Sequence, residues 1–167
     1  MALPRTWSLP GDYYIPLRLQ LLTRMIEREL NRAMQASVNI SVAEWRVLAL
    51  TCTNGKSSAA EVIQAYEADR AQVSRAVASL LEAGLVERRA AAGNGRRKDI
   101  TASPRGREVF ETVHRMRQAY FAAILRDFGP EDLRSFDAML GLIAQRVDEQ
   151  RTPGEAAGAQ ELSFGDR

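Results

Sequence analysis

Apolar residues between positions 13 and 36 fall at Leu17, Leu21, Leu22, Met25, Ile26, Leu30, Ala33 and Met34. Steps of three and four return to the same side of a helix, so this segment is predicted to be one long amphipathic helix. Its apolar stripe is too long for its own neighbourhood to cover. The stretch SVAE, Ser41 to Glu44, has the spacing of a capping box and opens a second helix, from about Val42 to Thr53. NGKS at 54–57 reads as a turn, and Ser58 to Glu61 repeats the capping box before a third helix that ends near Tyr66. Asp69 then serves as an N-cap and Gly84 as a stop for a fourth helix. On a helical projection Val73, Val77, Leu80 and Leu81 share one side of it. Ala71, Gln72, Arg75, Ala78, Ser79 and Glu82 share the other.

The period then changes. LVERR and KDITA are short and compatible with β-structure, and AAAGNGRRKDI joins them. Such a stretch could be a linker, a phosphate-cradling loop or a tight hairpin. Asn94-Gly95 is the dipeptide a type I′ turn favours, because both residues tolerate positive φ, so the hairpin is preferred and Arg96 is expected at its tip. The phosphate-loop reading lacks both a further glycine and a strand-then-helix context. Ser103 followed by Pro104 opens a long helix to about Phe128. Gly129-Pro130 restarts the chain as a last helix bearing Leu133, Phe136, Met139, Leu140, Ile143 and Val147. Residues 1–12 read as an N-terminal arm. Residues 151–167, poor in apolar side chains and without a period, are predicted to be a disordered tail.

The chain has 167 residues, 46% of them hydrophobic, which suits a single domain with a sizeable core over residues 13–150. No signal peptide is visible, and no apolar run approaches the roughly 20 residues of a membrane span, so a cytoplasmic protein with no membrane partner is expected. One cysteine, Cys52, and one histidine, His114, supply neither an internal disulfide nor a zinc cluster. With no nucleophile motif or metal spacing, an enzyme is not expected, nor a cofactor. The net charge is only +2, but every basic residue except Lys56 and Lys98 is arginine, the side chain suited to bidentate contact with phosphate or guanine. Between Gly84 and Arg107, seven basic residues (Arg88, Arg89, Arg96, Arg97, Lys98, Arg105 and Arg107) face two acids, Glu87 and Asp99. A basic cluster of that kind marks a polyanion-docking surface, although a charged run in an arbitrary protein is more often a solvated face.

The helix SVAEWRVLAL, the segment DRAQVSRAVASLLEAGLVERR and the hairpin NGRRKDITASPRG, in that order, resemble the MarR family of bacterial transcriptional regulators. The resemblance covers about residues 13–150. It implies a mainly α fold with a small β-hairpin wing, a winged helix-turn-helix over 41–103. Long dimerisation helices are implied at 13–36 and 104–150. It further implies a homodimer on a pseudo-palindromic double-stranded operator, with half-sites about one DNA turn apart. The family wing carries Asp-x-Arg where this chain has Asn94-Gly95-Arg96, so the carboxylate that would orient the arginine is replaced by an amide.

In that frame the DNA-binding candidates are Arg70, Ala71, Gln72, Ser74, Arg75 and Ser79 on the recognition helix and Arg96, Arg97 and Lys98 on the wing. Arg75 is the base reader, since a guanidinium pairs with guanine O6 and N7. Arg96 suits the concentrated negative potential of a narrow minor groove. Relatives accept small aromatic or phenolic acids between the dimer helices and the DNA-binding lobe. Tyr13, Tyr14, Arg18, Trp45, Arg46 and His114 offer aromatic surface and positive charge for such an effector, although aromatics at helical spacing more often pack a core. A repressor released by a small aromatic or anionic ligand is the expected function. The rivals are a winged-helix protein-interaction module, for which a basic wing is unnecessary, and a redox-responsive regulator acting through Cys52. No Arg or His adjoins that thiol in sequence, and a small buried thiol behaves as a hydrophobe without needing a function.

Overall fold

A computed structural model describes residues 3–4, 7, 14–91 and 94–150, with the backbone alone at 90, 91 and 94–97. Among the described residues the elements are α1 (Ile15–Val38), α2 (Val42–Asn54), α3 (Ala59–Tyr66), α4 (Arg70–Glu82), β1 (Val86–Ala91), β2 (Asn94–Ala102), α5 (Pro104–Ile124) and α6 (Pro130–Glu149). The expected arm and tail lie almost entirely outside the described residues. The fold is mainly helical with one antiparallel hairpin.

Both capping boxes form. Ser41 accepts the Glu44 amide while Glu44 takes the Ser41 amide at 2.6 Å, and Ser58 and Glu61 repeat the exchange, also at 2.6 Å. Each pair satisfies amides that a helix start leaves without partners. α1 runs two residues past the expected end, to Val38, because nothing stops it before Asn39. That residue adopts the left-handed conformation, φ 54°, and donates its amide to Gln35. α5 ends at Ile124, short of the expected Phe128. Pro130 holds Gly129 extended at ψ 162°, so the reversal into α6 is made by turns within 125–128.

Contacts divide the chain into Met1–Tyr120 and Phe121–Arg167. The core of the first unit is built from Leu30 and Met34 of α1, Trp45, Val47 and Leu48 of α2, Val62 of α3, and Val73, Ala76, Val77 and Leu80 of α4. Ile40, Leu85, Val86, Ile100 and Val113 complete it. Each aliphatic side chain fully removed from water contributes about 1.5–3 kcal/mol before entropy is counted. In the second unit α6 has no buried residue; Phe136, Met139, Leu142 and Val147 are all exposed.

The hairpin pairs Val86 with Ala102 and Arg88 with Ile100, and Ser57 adds a one-residue bridge to Ile100 that the turn reading of NGKS missed. At its far end the ladder departs from expectation. Ala90 pairs with Lys98, but Ala91 pairs with Asn94, so Gly95, Arg96 and Arg97 fall between consecutive β1 residues as an irregularity of β2. Asn94-Gly95 is therefore strand rather than turn, and residues 92–93 lie outside the described residues. The preference of Asn-Gly for a tight turn is worth less than a ladder fixed from its base by Val86, Ile100 and Ala102.

One joint ties the elements together. Gly84, at φ 67°, ends α4, and Ser103 Oγ donates to its carbonyl at 2.7 Å while accepting the Gly106 amide at 3.0 Å. A Cβ on Gly106 would stand 2.0 Å from the Leu85 carbonyl oxygen, which is backbone and cannot swing aside. Gly106→Ala is therefore expected to lose about 3 kcal/mol, the upper end of overpacking costs. Urea unfolding monitored by circular dichroism reads this directly, and a variant with the parent's midpoint would show that the joint yields freely.

Candidate nucleic-acid interface

α4 owes its orientation to two sets of residues. Asp69 accepts the Gln72 amide at 2.8 Å and starts the helix, and Val73, Ala76, Val77 and Leu80 bury its inner side. Arg70, Ala71, Gln72, Ser74, Arg75 and Ser79, the six expected recognition residues, are all exposed. The structure thus collects them on one surface. Ala76 belongs to the buried side as well, which the helical projection had not assigned.

Ser79 is not a free hydroxyl. It hydrogen-bonds Glu44 of α2, which also receives the Ser41 hydroxyl and amide at 2.6 Å each. Partial burial pushes the Glu44 carboxyl up, but the hydrogen bonds from Ser41 and Ser79 together outweigh it and hold the group below the usual carboxylate range. Glu44 thereby links the start of α2 to the exposed side of α4. Beside it a groove of about 610 Å³ runs between α1, the start of α2 and the flank of α4 formed by Gln72, Arg75 and Ser79.

The basic run separates into two groups. Arg107 donates to the Ala102 carbonyl at 2.7 Å and Arg105 to the Ala83 carbonyl at 3.4 Å, so both hold backbone at the joint. Asp99, buried in β2, pairs with Lys56 at 2.7 Å. Arg88 and Lys98 project from exposed positions, as does Arg89, which meets Glu87 at 3.1 Å. Arg96 and Arg97 are placed by backbone alone, in the irregular stretch of β2.

Of the six expected effector residues, Trp45, Arg46 and His114 are drawn into one cluster. Trp45 stacks on Phe110 at 5.4 Å between centroids, Phe110 stacks on His114 at 5.4 Å, and the Arg117 guanidinium lies over Trp45 at 5.3 Å. Arg46 pairs with Glu27 and lies over Tyr66 at 5.7 Å. Burial lowers the Arg117 pKa, with Arg46 acting the same way against Tyr66 and Glu27. Tyr14 is half-buried at the start of α1, where Arg18 donates to the Trp7 carbonyl at 3.1 Å, and Tyr13 lies outside the described residues. Sequence reasoning missed Phe110, Arg117 and Tyr66. The spacing of Phe110, His114 and Arg117 along one face of α5 was a signal that could have found the first two. Cys52 is partly buried, and that burial pushes its thiol up against the pull of Arg107, helped by Glu111. A thiol kept protonated is a poor nucleophile.

A helix with an exposed polar side, a helix packed before it and a basic two-stranded hairpin after it define a winged helix-turn-helix. The MarR family model matches residues 38–97, and no curated protein matches the chain. A MarR/EmrR family transcriptional regulator from Acinetobacter sp. ADP1 is similar at 19% identity and TM-score 0.76, over 85% of this chain and 100% of that one. The MarR protein from Peptoclostridium difficile is similar at 17% identity and TM-score 0.74, over 90% and 95%. The organohalide-sensing regulator RdhR-CbdbA1625, solved with 2,4-dichlorophenol bound, is similar at 16% identity and TM-score 0.71, over 87% and 86%. Over residues 38–97 the chain thus matches the MarR family model, and its fold is that of these solved MarR-family regulators.

The Glu44 bonds make a pH test available. A glutamate held below its ordinary pKa contributes stability that is fully present above the unfolded value and is lost as pH falls through the lower folded value. Glu44→Gln should therefore be less stable than the parent near neutrality and converge with it as pH falls through that window. Urea midpoints of the two proteins, followed downward in pH, should close; parallel curves would show that Glu44 carries no such linkage.

Proposed function

We propose that the chain is a homodimeric, sequence-specific regulator of transcription that binds a pseudo-palindromic operator in double-stranded DNA. It would act in the bacterial cytoplasm as a repressor released by a small aromatic or anionic ligand. The observation that carries this reading is the surface of α4: its recognition residues are exposed together, with Arg75 among them, and the basic hairpin follows directly. Arg70, Ala71, Gln72, Ser74 and Arg75 face the major groove, while Arg96, Arg97 and Lys98 carry the wing to the backbone and minor groove. Ser79, bonded to Glu44, serves more to hold α4 than to touch bases.

The homodimer is supported by unpartnered apolar surface. Leu142 and Val147 are 61% and 64% exposed, and Leu125, Phe128, Leu133, Phe136 and Met139 surround a cup of about 480 Å³. Contiguous exposed apolar surface of this kind marks an interaction site. The ligand is argued from Trp45, Phe110 and His114, which offer stacked rings beside two arginines, and from the dichlorophenol held by the structurally similar regulator. The raised Cys52 thiol disfavours the redox alternative.

Selection of bound duplexes from a random pool, followed by footprinting, tests the reading: a two-fold symmetric sequence should emerge. On that sequence Arg75→Ala is expected to lose about 1–3 kcal/mol of affinity and to relax base preference at one position per half-site. Failure to enrich any sequence would remove the proposed function. A wild-type ratio of selected to random binding in the variant would remove Arg75 as a base reader.

A further inference from the structure

The groove beside α4 carries charge that the recognition residues alone do not account for. α1 contributes Arg24, Glu27 and Arg28 to it, at the spacing that places side chains on one helix face, and α4 contributes Arg75. Its two acids are already committed: Glu27 pairs with Arg46, and Glu44 accepts from Ser41 and Ser79. Among the described residues no hydrogen bond or ion pair is made by Arg24 or Arg75, and the Arg28 side chain is 54% exposed, with Glu29 at 3.6 Å. The groove is thus positive in excess.

The arginines also stand on a fixed frame. Asn31 accepts the Val42 amide at 3.2 Å, and the Arg46–Glu27 pair is a second tie between α1 and α2. A helix about 10–12 Å across fills a major groove about 12 Å wide, so groups along its flank stand beside the phosphates that border the groove. We propose that Arg24 and Arg28 clasp a backbone phosphate of the duplex in which α4 lies, making α1 part of the DNA interface. This rests on the reading of α4 as the recognition helix. Phosphate is the occupant that fits: three arginines line the groove against two acids that already have partners, and Gln72 and Arg75 of α4 stand among the lining residues. Such contacts set register and affinity and carry no sequence information.

The test uses the full chain, Arg24→Gln/Arg28→Gln and Arg24→Lys/Arg28→Lys. Each is titrated with salt against fluorescent duplexes of random and of selected sequence. The glutamine pair should weaken both duplexes by the same factor and make the log–log salt slope shallower by about 0.9 for each phosphate that a bound protomer no longer neutralises. The lysine pair should restore the slope. Replacing single phosphates by neutral methylphosphonates should locate positions at which the glutamine pair causes no further weakening. A wild-type slope in a glutamine pair that melts like the parent would overturn the clasp and leave the recognition-helix reading standing, as would a weakening confined to the selected sequence. If the wild-type chain bound neither duplex, both would fall.

Discussion

The Leu85 carbonyl is the point on which the first unit depends. It accepts the Ser103 amide at 3.0 Å, and the Gly106 Cα approaches it so closely that no side chain fits between them. The Leu85 amide in turn donates to Leu80 at 2.9 Å, closing the end of α4. Four elements therefore meet within a few residues: α4 ends, β1 begins, β2 ends and α5 starts. Their backbone groups satisfy one another where Leu85 and Val86 are buried, and unsatisfied groups there would be costly. The recognition helix and the root of the wing consequently share one rigid joint, and neither can be displaced at that point without the other.

That joint also explains why the basic run contains less available charge than its composition suggests. Arg105 and Arg107 lie at the start of α5, and their guanidinium groups reach the Ala83 and Ala102 carbonyls, next to the ends of α4 and β2. They serve the architecture. Lys56 and the buried Asp99 form a further pair at the root of the hairpin, beside the Ser57–Ile100 bridge. Away from that joint, the exposed cations among the described side chains include Arg88, Arg89 and Lys98 of the hairpin and Arg70 and Arg75 of α4, with Arg24 and Arg28 of α1 beside them. Counting basic residues along a sequence could not separate the two groups, because the acceptors that claim Arg105 and Arg107 are carbonyls, and a carbonyl is offered by every residue.

What the sequence made legible was local. Capping boxes place donor and acceptor three residues apart, so Ser41–Glu44 and Ser58–Glu61 could be read before any tertiary contact was known. The two sides of α4 followed from a period, as did the unusual apolar stripe on α6. The hairpin itself followed from two short β-compatible segments and the Asn94-Gly95 dipeptide between them. Its reversal did not, because the register is set by pairing far from the tip, and Asn94-Gly95 was drawn into the strand. The Trp45–Phe110–His114 stack was half visible: its helix faces were readable, but which faces meet is decided by how α2 and α5 cross.

The first turn of α2 gathers the consequences. Three consecutive residues point to different elements: Glu44 holds Ser79 of α4, Trp45 stacks on Phe110 of α5, and Arg46 pairs with Glu27 of α1 while lying over Tyr66 of α3. Successive helical positions diverge by about 100°, so one short turn can address three neighbours that share no face. The proposed effector region and the side of α4 proposed to face DNA are thus separated by a single peptide unit of α2. A ligand that displaced Arg117 from Trp45 would act on the residue next to the one that fixes the flank of the recognition helix. For such a ligand to shift DNA affinity, it must bind the two orientations of α4 unequally, since equal affinity shifts nothing. The ties at Glu44 and at the Leu85 carbonyl define what an alternative orientation must break: the Ser79 bond yields first, because it is a side-chain contact at an exposed residue, whereas the joint is buried backbone. Because Ser79 lies one turn from that joint, a tilt of α4 about it would carry the Arg70 end furthest and leave the wing root fixed, and this is the motion these ties oppose least.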